Sequence, residues 1–274
     1  MRGDYYLLND NFLPAAELAG NNTNAVVVYE VVRIINGVPV FFNDHFQRLH
    51  HSCKLTGHQI DIDKNKLHRQ FEYLSVKNSI EIGNVMLKVI FEPGKQTRQL
   101  YFIPHSYPSE EDYEKGVTVG ILHAERINPE AKVEQGVRER ANQILKDSTY
   151  YEVLLVDHDG YITEGSRSNL FFIKGDVLHT CPLHKVLRGI TLTKVLQIAE
   201  GNTIQVVFEP VHESTIATYD AAFITGTSPK ILPLNVIEGT TYKVDNQLMS
   251  YIMKKYNQLM DDDLKQRVEK DINH

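Results

Sequence analysis

Two cysteines in 274 residues give no disulfide framework, and Cys53 and Cys181 suit a reducing cytoplasm better than an oxidising compartment. No block of lysine and arginine offsets the formal charge of −6, which argues against a nucleic-acid partner but leaves room for a local basic pocket. Long hydrophobic runs are missing too. Stretches such as AVVVYEVV contain an acid and are too short to span a bilayer, so no membrane partner is expected. The first residues, MRGDYYLLND, lack the apolar segment of a secretory leader. No G-x-G-x-x-G follows an apolar strand, so nothing suggests the doubly wound dinucleotide fold.

Hydrophobic residues make up 42% of the chain and charged residues 23%, enough to bury a core in one large domain or two modest ones. The polar, proline-containing SYPSEEDYEKG reads as a boundary, giving a small α/β domain over 1–110, a linker over 111–120 and a larger domain over 121–274. In the first part, Ala25 to Ile35 reads as a strand, Asn36-Gly37 as a turn, and Val38 to Phe42 as the returning strand. Asn43 is positioned to cap a helix with Phe46, Leu49 and Cys53 on one face, and a second helix is expected from about Lys64 to Val76. In the second part, a strand covers Val117 to His123. Asn128-Pro129 reads as the start of a helix with Val133, Val137, Ala141, Ile144 and Leu145 inward. Further helices are expected from about Gly189 and over Asp245 to Met260. Strands and helices mix without a strict alternation, so the class is α+β.

The segment VLLVDHDGYITEGSRSNLFF, Val153 to Phe172, is the most informative. Apolar runs on either side of an Asp-Gly turn and a small polar loop read as a hairpin pair with Glu164 near its tip. A lone carboxylate there is a poor core residue and a reasonable partner for a cationic ring nitrogen. The segment resembles the signature of the class IV pyridoxal-phosphate aminotransferases, a family that includes branched-chain and D-amino acid aminotransferases and aminodeoxychorismate lyase. The likeness runs from Tyr29 to about Leu234, with its motifs in the family's order.

That resemblance implies a two-domain fold, small α/β plus larger β-rich with flanking helices, a homodimer, and pyridoxal 5′-phosphate as cofactor. Lys132, in INPEAKVEQ, then supplies the amine that bonds the cofactor's aldehyde. Its interval to Glu164 is 164 − 132 = 32, against about thirty-three in relatives. Lys146 is a rival 18 residues before Glu164, and an ordinary surface lysine opening a helix is the plain alternative for Lys132. Glu164 would face the ring nitrogen. Arg48, in the H-x-x-R-L of a helix, would fork onto the phosphate, or else form a salt bridge. Ile190 and Thr191 would offer backbone N–H groups at a helix start, and Thr227, in TGTS, a hydroxyl and an N–H. Leu187 would pack under the ring. Tyr29, Thr227 and Ser228 are the substrate candidates, Tyr29 being equally readable as a strand tyrosine.

Relatives usually follow Gly-Ile-Thr with Arg, where this chain has Leu192. The Arg-x-His pair of D-amino acid enzymes is replaced by EPGKQTRQL, which has Arg98 but no His at that spacing. Neither His45, His50 and His51 nor His179, Cys181 and His184 form a good ligand set, so no metal is expected. Ser166 and Ser168 read as loop polar groups. The implied reaction is transamination between a branched-chain or similar apolar amino acid and a 2-oxo acid. The alternatives are the lyase reaction and a catalytically silent relative.

Overall fold

The computed structural model describes residues 1–18, 25–133 and 136–272, with backbone alone for 267–272. It is a mixed helix-and-sheet chain that divides into two compact units. The first comprises Met1–Ser106, Ala131–Glu134 and Met260–His274, and the second Tyr107–Glu130 and Gln135–Leu259. The expected large domain over 121–274 therefore cedes its Ala131–Glu134 segment and its end to the first unit.

The first unit holds β1 (Tyr5–Leu8), β2 (Asn11–Pro14), β3 (Val26–Ile35), β4 (Val38–Pro39), α1 (Phe42–Leu55), α2 (Lys64–Asn78), β5 (Gly83–Glu92) and β6 (Lys95–Ile103). Its sheet runs β2-β1-β6-β5-β3-β4. The alternate residues Val28, Val32 and Ile34 of β3 and Val85, Leu87 and Val89 of β5 form a floor. Phe42, Leu49 and Cys53 of α1 and Leu67, Phe71 and Leu74 of α2 cover it. Asn36 and Gly37, both at positive φ, make the expected tight turn after β3. The returning strand is only two residues long, because Phe41 turns into the left-handed region and α1 starts at Phe42. Asn43 is thus inside the helix. The Phe41 N–H just before the helix donates to Asp263 Oδ2, far along the chain, at 2.7 Å.

The second unit contains α3 (Glu110–Lys115), β7 (Val117–His123), α4 (Val137–Asp147), β8 (Glu152–Val156), β9 (Tyr161–Gly165), β10 (Asn169–Lys174) and β11 (Val177–Thr180). There follow α5 (Ile190–Gly201), β12 (Val206–Phe208), β13 (Val211–His212), β14 (Ala221–Gly226), β15 (Lys230–Ile237), β16 (Thr240–Thr241) and α6 (Gln247–Ile272), whose last turns belong to the first unit. The sheet order is β12-β11-β10-β14-β15-β7-β8-β9-β13, with β16 on β15.

The unbroken apolar run of β8 has a simple cause. Leu154 and Val156 face a core shared with Leu170, Phe172, Ile224 and Leu234, while Val153 and Leu155 pack with Ala141 of α4. The hairpin reading is half right. Strand β8 pairs with β9, but β10 pairs with β11 and β14 instead of returning along β9. Within 106–116, a capping box between Ser109 and Asp112 starts α3 where a plain linker was expected.

Candidate active site

In the first unit, the free edge of β3 decides where Lys132 sits. Strand β4 covers β3 only at Ile34 and Ile35, so the other half of that edge has backbone groups to satisfy. The 131–133 segment fills it: Val133 bridges Val28, and the Tyr29 N–H donates to the Lys132 carbonyl at 3.0 Å. The Lys132 N–H reaches Ser52 Oγ on α1 at 3.2 Å. Lys132 therefore lies in irregular chain just before the Val133 bridge, not in the first turn of a helix. The helix expected from Asn128-Pro129 begins only at Val137. The amine Nζ stands 4.8 Å from the centre of the buried Tyr29 ring, which brings two of the named residues together. Residues 134–135, within the expected helix, lie outside the described residues.

Arg48 is committed to an acid that the sequence reading passed over. Glu30 is fully buried on the face of β3 that meets α1. It accepts from Arg48 Nε at 2.8 Å and Nη2 at 2.5 Å, and from His45 Nδ1 at 2.7 Å. Burial pushes the Glu30 carboxyl up, but the Arg48 charge and the hydrogen bonds outweigh it and hold the pKa down to about 2. Burial pushes His45 below its ordinary value, so the ring is neutral at neutral pH and uses its Nδ1 proton for the carboxylate. Only the acid in a mostly apolar strand, opposite a helix carrying His and Arg three residues apart, hinted at this cluster. Arg98 bonds Asn9 O, Asp10 Oδ1 and Gln70 Oε1, fastening the β1–β2 turn to α2.

In the second unit, Glu164 is buried near the end of β9. Its Oε1 lies 3.1 Å from Arg126 Nε, and its Oε2 accepts from the Leu187 N–H at 3.2 Å and Asn169 Nδ2 at 3.3 Å. Arg126 Nη2 also donates to the Ser166 carbonyl at 3.0 Å, and Asn169 Nδ2 to the Leu187 carbonyl at 2.7 Å. Sequence alone offers Arg126, six residues before Lys132, only as a weak candidate for the cofactor's phenolic oxygen, and gives Asn169 no role. The loop after Glu164 is fixed by a second buried acid. Glu152 accepts from Ser166 Oγ at 2.6 Å, Ser168 Oγ at 3.1 Å and the Arg167 N–H at 3.1 Å. The two serines are therefore loop ties. Gly165 leaves Ser168 room to reach Glu152, since a Cβ would lie 2.1 Å from Ser168 Oγ.

Helix α5 begins at Ile190 with Gly189 as its cap residue, no side-chain cap and no acid in its first turn. Such an end presents backbone N–H groups suited to an anion. Thr191 Oγ1 is 3.3 Å from Tyr256 OH, and Leu192 is buried in place of an arginine. Asn169 links this helix end to the sheet, because a Cβ on Gly189 would lie 2.1 Å from Asn169 Oδ1. Across the ladder Asn169 faces Thr225 of β14, after which the chain turns through Gly226, Thr227 and Ser228. His50 tilts against Phe46, His179 meets Tyr219 edge-on, and His45 serves Glu30.

The family model described as amino-transferase class IV matches residues 27–237. A putative branched-chain-amino-acid aminotransferase of Methanocaldococcus jannaschii is 29% identical over 253 residues, 86% of this chain and 86% of its own. A D-alanine aminotransferase of Listeria monocytogenes is 30% identical over 233 residues, 77% of this chain and 78% of its own. A solved branched-chain amino acid aminotransferase of Escherichia coli has the same fold at a TM-score of 0.81 and 20% identity, covering 94% of this chain and 95% of that one.

Proposed function

The chain belongs to the amino-transferase class IV family, whose cofactor is pyridoxal 5′-phosphate, and we propose that it moves an amino group from a branched-chain or similarly apolar amino acid to a 2-oxo acid. The second unit's donor set fits that cofactor. It offers a buried carboxylate for a ring nitrogen and an uncapped helix end for a phosphate, and the Thr225 hydroxyl is buried with no hydrogen-bond partner among the described residues. The observation that carries the reading is the way Glu164 is held. One cation and two neutral donors fix both oxygens, as a group that must keep a proton on a ring nitrogen requires.

When bound, the cofactor supplies an aldehyde that takes the amino group and a ring that draws electrons from the bond being broken. Lys132 is the amine that anchors it and then carries the proton from the substrate Cα. The fixed backbone of 131–133 supports that role by keeping Nζ at a set reach. Glu164 holds the ring-nitrogen proton, with Arg126 and Asn169 holding Glu164. Arg48, Ile190, Thr191 and Thr227 bind the phosphate, and Glu30 fixes the angle of the Arg48 fork. Leu187 lies against the ring, while Tyr29, Thr227 and Ser228 meet the substrate. The name of the archaeal relative supports a branched-chain donor. A homodimer in the cytoplasm belongs to the same reading, and light scattering tests the dimer.

The test of function is the absorption spectrum of the purified holoenzyme with a panel of L- and D-amino acids. A violet band that bleaches with branched-chain amino acids, with amino transfer to 2-oxoglutarate, is the expected result. Release of pyruvate from aminodeoxychorismate would assign the lyase reaction instead.

A further inference from the structure

The geometry points to Thr225 as a further cofactor-binding residue, one whose hydroxyl receives its hydrogen-bond partner only when pyridoxal phosphate is seated. The inference rests on the cofactor assignment above and extends it to the first residue of the TGTS segment, to which the sequence assigns no role. Thr225 is 1% exposed, and its Oγ1 is buried without a hydrogen-bond partner among the described residues. Buried hydroxyls are nearly always bonded, and one left over has a cost that valine, of the same shape, would not carry. A threonine in that state in the middle of a sheet calls for a partner from outside the protein.

Its surroundings say which partner. In the ladders Thr225 stands opposite Ile231 on one side and Asn169 on the other. Directly opposed residues of antiparallel strands point to one face. Ile231 can offer the hydroxyl nothing. The Asn169 amide is engaged with the Leu187 carbonyl and Glu164 Oε2, and its Oδ1 is packed against Gly189 at the start of α5. One residue further on, Gly226 has no side chain and Thr227 begins the turn. The unpaired hydroxyl thus shares a face with the residue that joins the ring-nitrogen acid to the anion-binding helix end, two residues from the proposed phosphate ligand. An oxygen-rich aromatic phosphate ester can supply the partner that these side chains do not.

The test uses cofactor-free protein titrated with pyridoxal 5′-phosphate and followed by absorbance, together with melting of the cofactor-free forms. Wild type, Thr225→Val and Thr225→Ser are compared. Thr225→Val is expected to bind about tenfold more weakly, the worth of one hydrogen bond to a partly charged group. Thr225→Ser should bind close to wild type, and cofactor-free Thr225→Val should melt no lower than wild type. Thr225→Val binding as tightly as wild type overturns the inference. So does an equal loss in Thr225→Ser, which would make the methyl the important group, or a lowered melting point in Thr225→Val with Thr225→Ser unchanged, which would reveal a partner within the protein. Wild type that takes up no cofactor overturns the functional reading itself, whereas normal uptake with an indifferent Thr225→Val overturns only this step.

Discussion

Replacing Glu30 by Gln should destabilise the fold at neutral pH and remove much of its acid sensitivity. The carboxyl is fully buried, and its pKa falls from 4.5 to about 2 because Arg48 and His45 favour the charged form more than burial opposes it. A gap of roughly 2.5 units, at 1.36 kcal/mol each, corresponds to about 3 kcal/mol. The unfolded chain, with the higher pKa, takes up the proton first. The stabilisation is therefore complete above pH 4.5 and lost as pH falls through about 2. His45 starts the decline earlier. Its folded pKa lies below 6.5, so the unfolded chain is protonated first as pH drops past that value. Glutamine keeps one acceptor oxygen but leaves the Arg48 guanidinium, only 9% exposed, without its counter-charge. At pH 7 the variant should be weaker by about 3 kcal/mol, and at roughly 2–4 °C per kcal/mol for a chain of this size it should melt some 6–12 °C lower. Thermal unfolding of both proteins by circular dichroism at pH 7, 5 and 3 measures this. The difference should be widest at pH 7 and narrow by pH 3. A difference that stays constant across that range, or is absent at pH 7, would refute the reasoning.

Three further outcomes can be checked. Lys132→Ala should lose the borohydride-stable cofactor adduct seen by mass spectrometry in the wild type; an adduct persisting on Lys146 would show the anchor to be misassigned. Gly189→Ala places a Cβ 2.1 Å from Asn169 Oδ1 and should displace the amide from Leu187 and Glu164. Two lost hydrogen bonds at about 1 kcal/mol each predict cofactor binding weaker by roughly thirtyfold in a titration. Burial pushes both thiols up to about 12, so Cys53 and Cys181 should ignore an aromatic disulfide reagent at pH 8 until the protein is unfolded.

The elements that the sequence announces are those whose local signals agree with their tertiary setting. Strand β3 has a β-branched run and an Asn-Gly turn, α1 and α2 have apolar faces at helical spacing, and the structure keeps all three. The failures are places where a distant partner overrides a local preference. Asn128-Pro129 is a good helix opening, yet the chain there turns and then bridges the uncovered edge of β3 at Val133. Strands β1 and β2 are four residues each and take their support from β6, more than eighty residues away. Strand β10 looks like the return of a hairpin because the loop before it is short, but the Glu152 carboxylate folds that loop so that the strand enters the sheet elsewhere.

The site divides along the same line. Glu164, Lys132 and the start of α5 are legible because each is announced by its own neighbours: a polar loop between strands, a spacing, a Gly-Ile-Thr that opens a helix. The groups that hold the candidate residues in place are not announced. Arg126 lies 38 residues before Glu164 and Leu187 lies 23 after it (164 − 126 and 187 − 164), and no periodicity links them, since they meet only once β9, β10 and the chain before α5 are in place. Glu30 is hidden for the opposite reason. An acid inside an apolar strand reads as a solvent-facing break in the pattern, and only the register of β3 under α1 turns it inward onto Arg48. In each case the motif residue could be named from its own segment, whereas its electrostatic partner requires the folded chain. A substitution at Arg126 or Glu30 should therefore disturb the chemistry while leaving every motif intact.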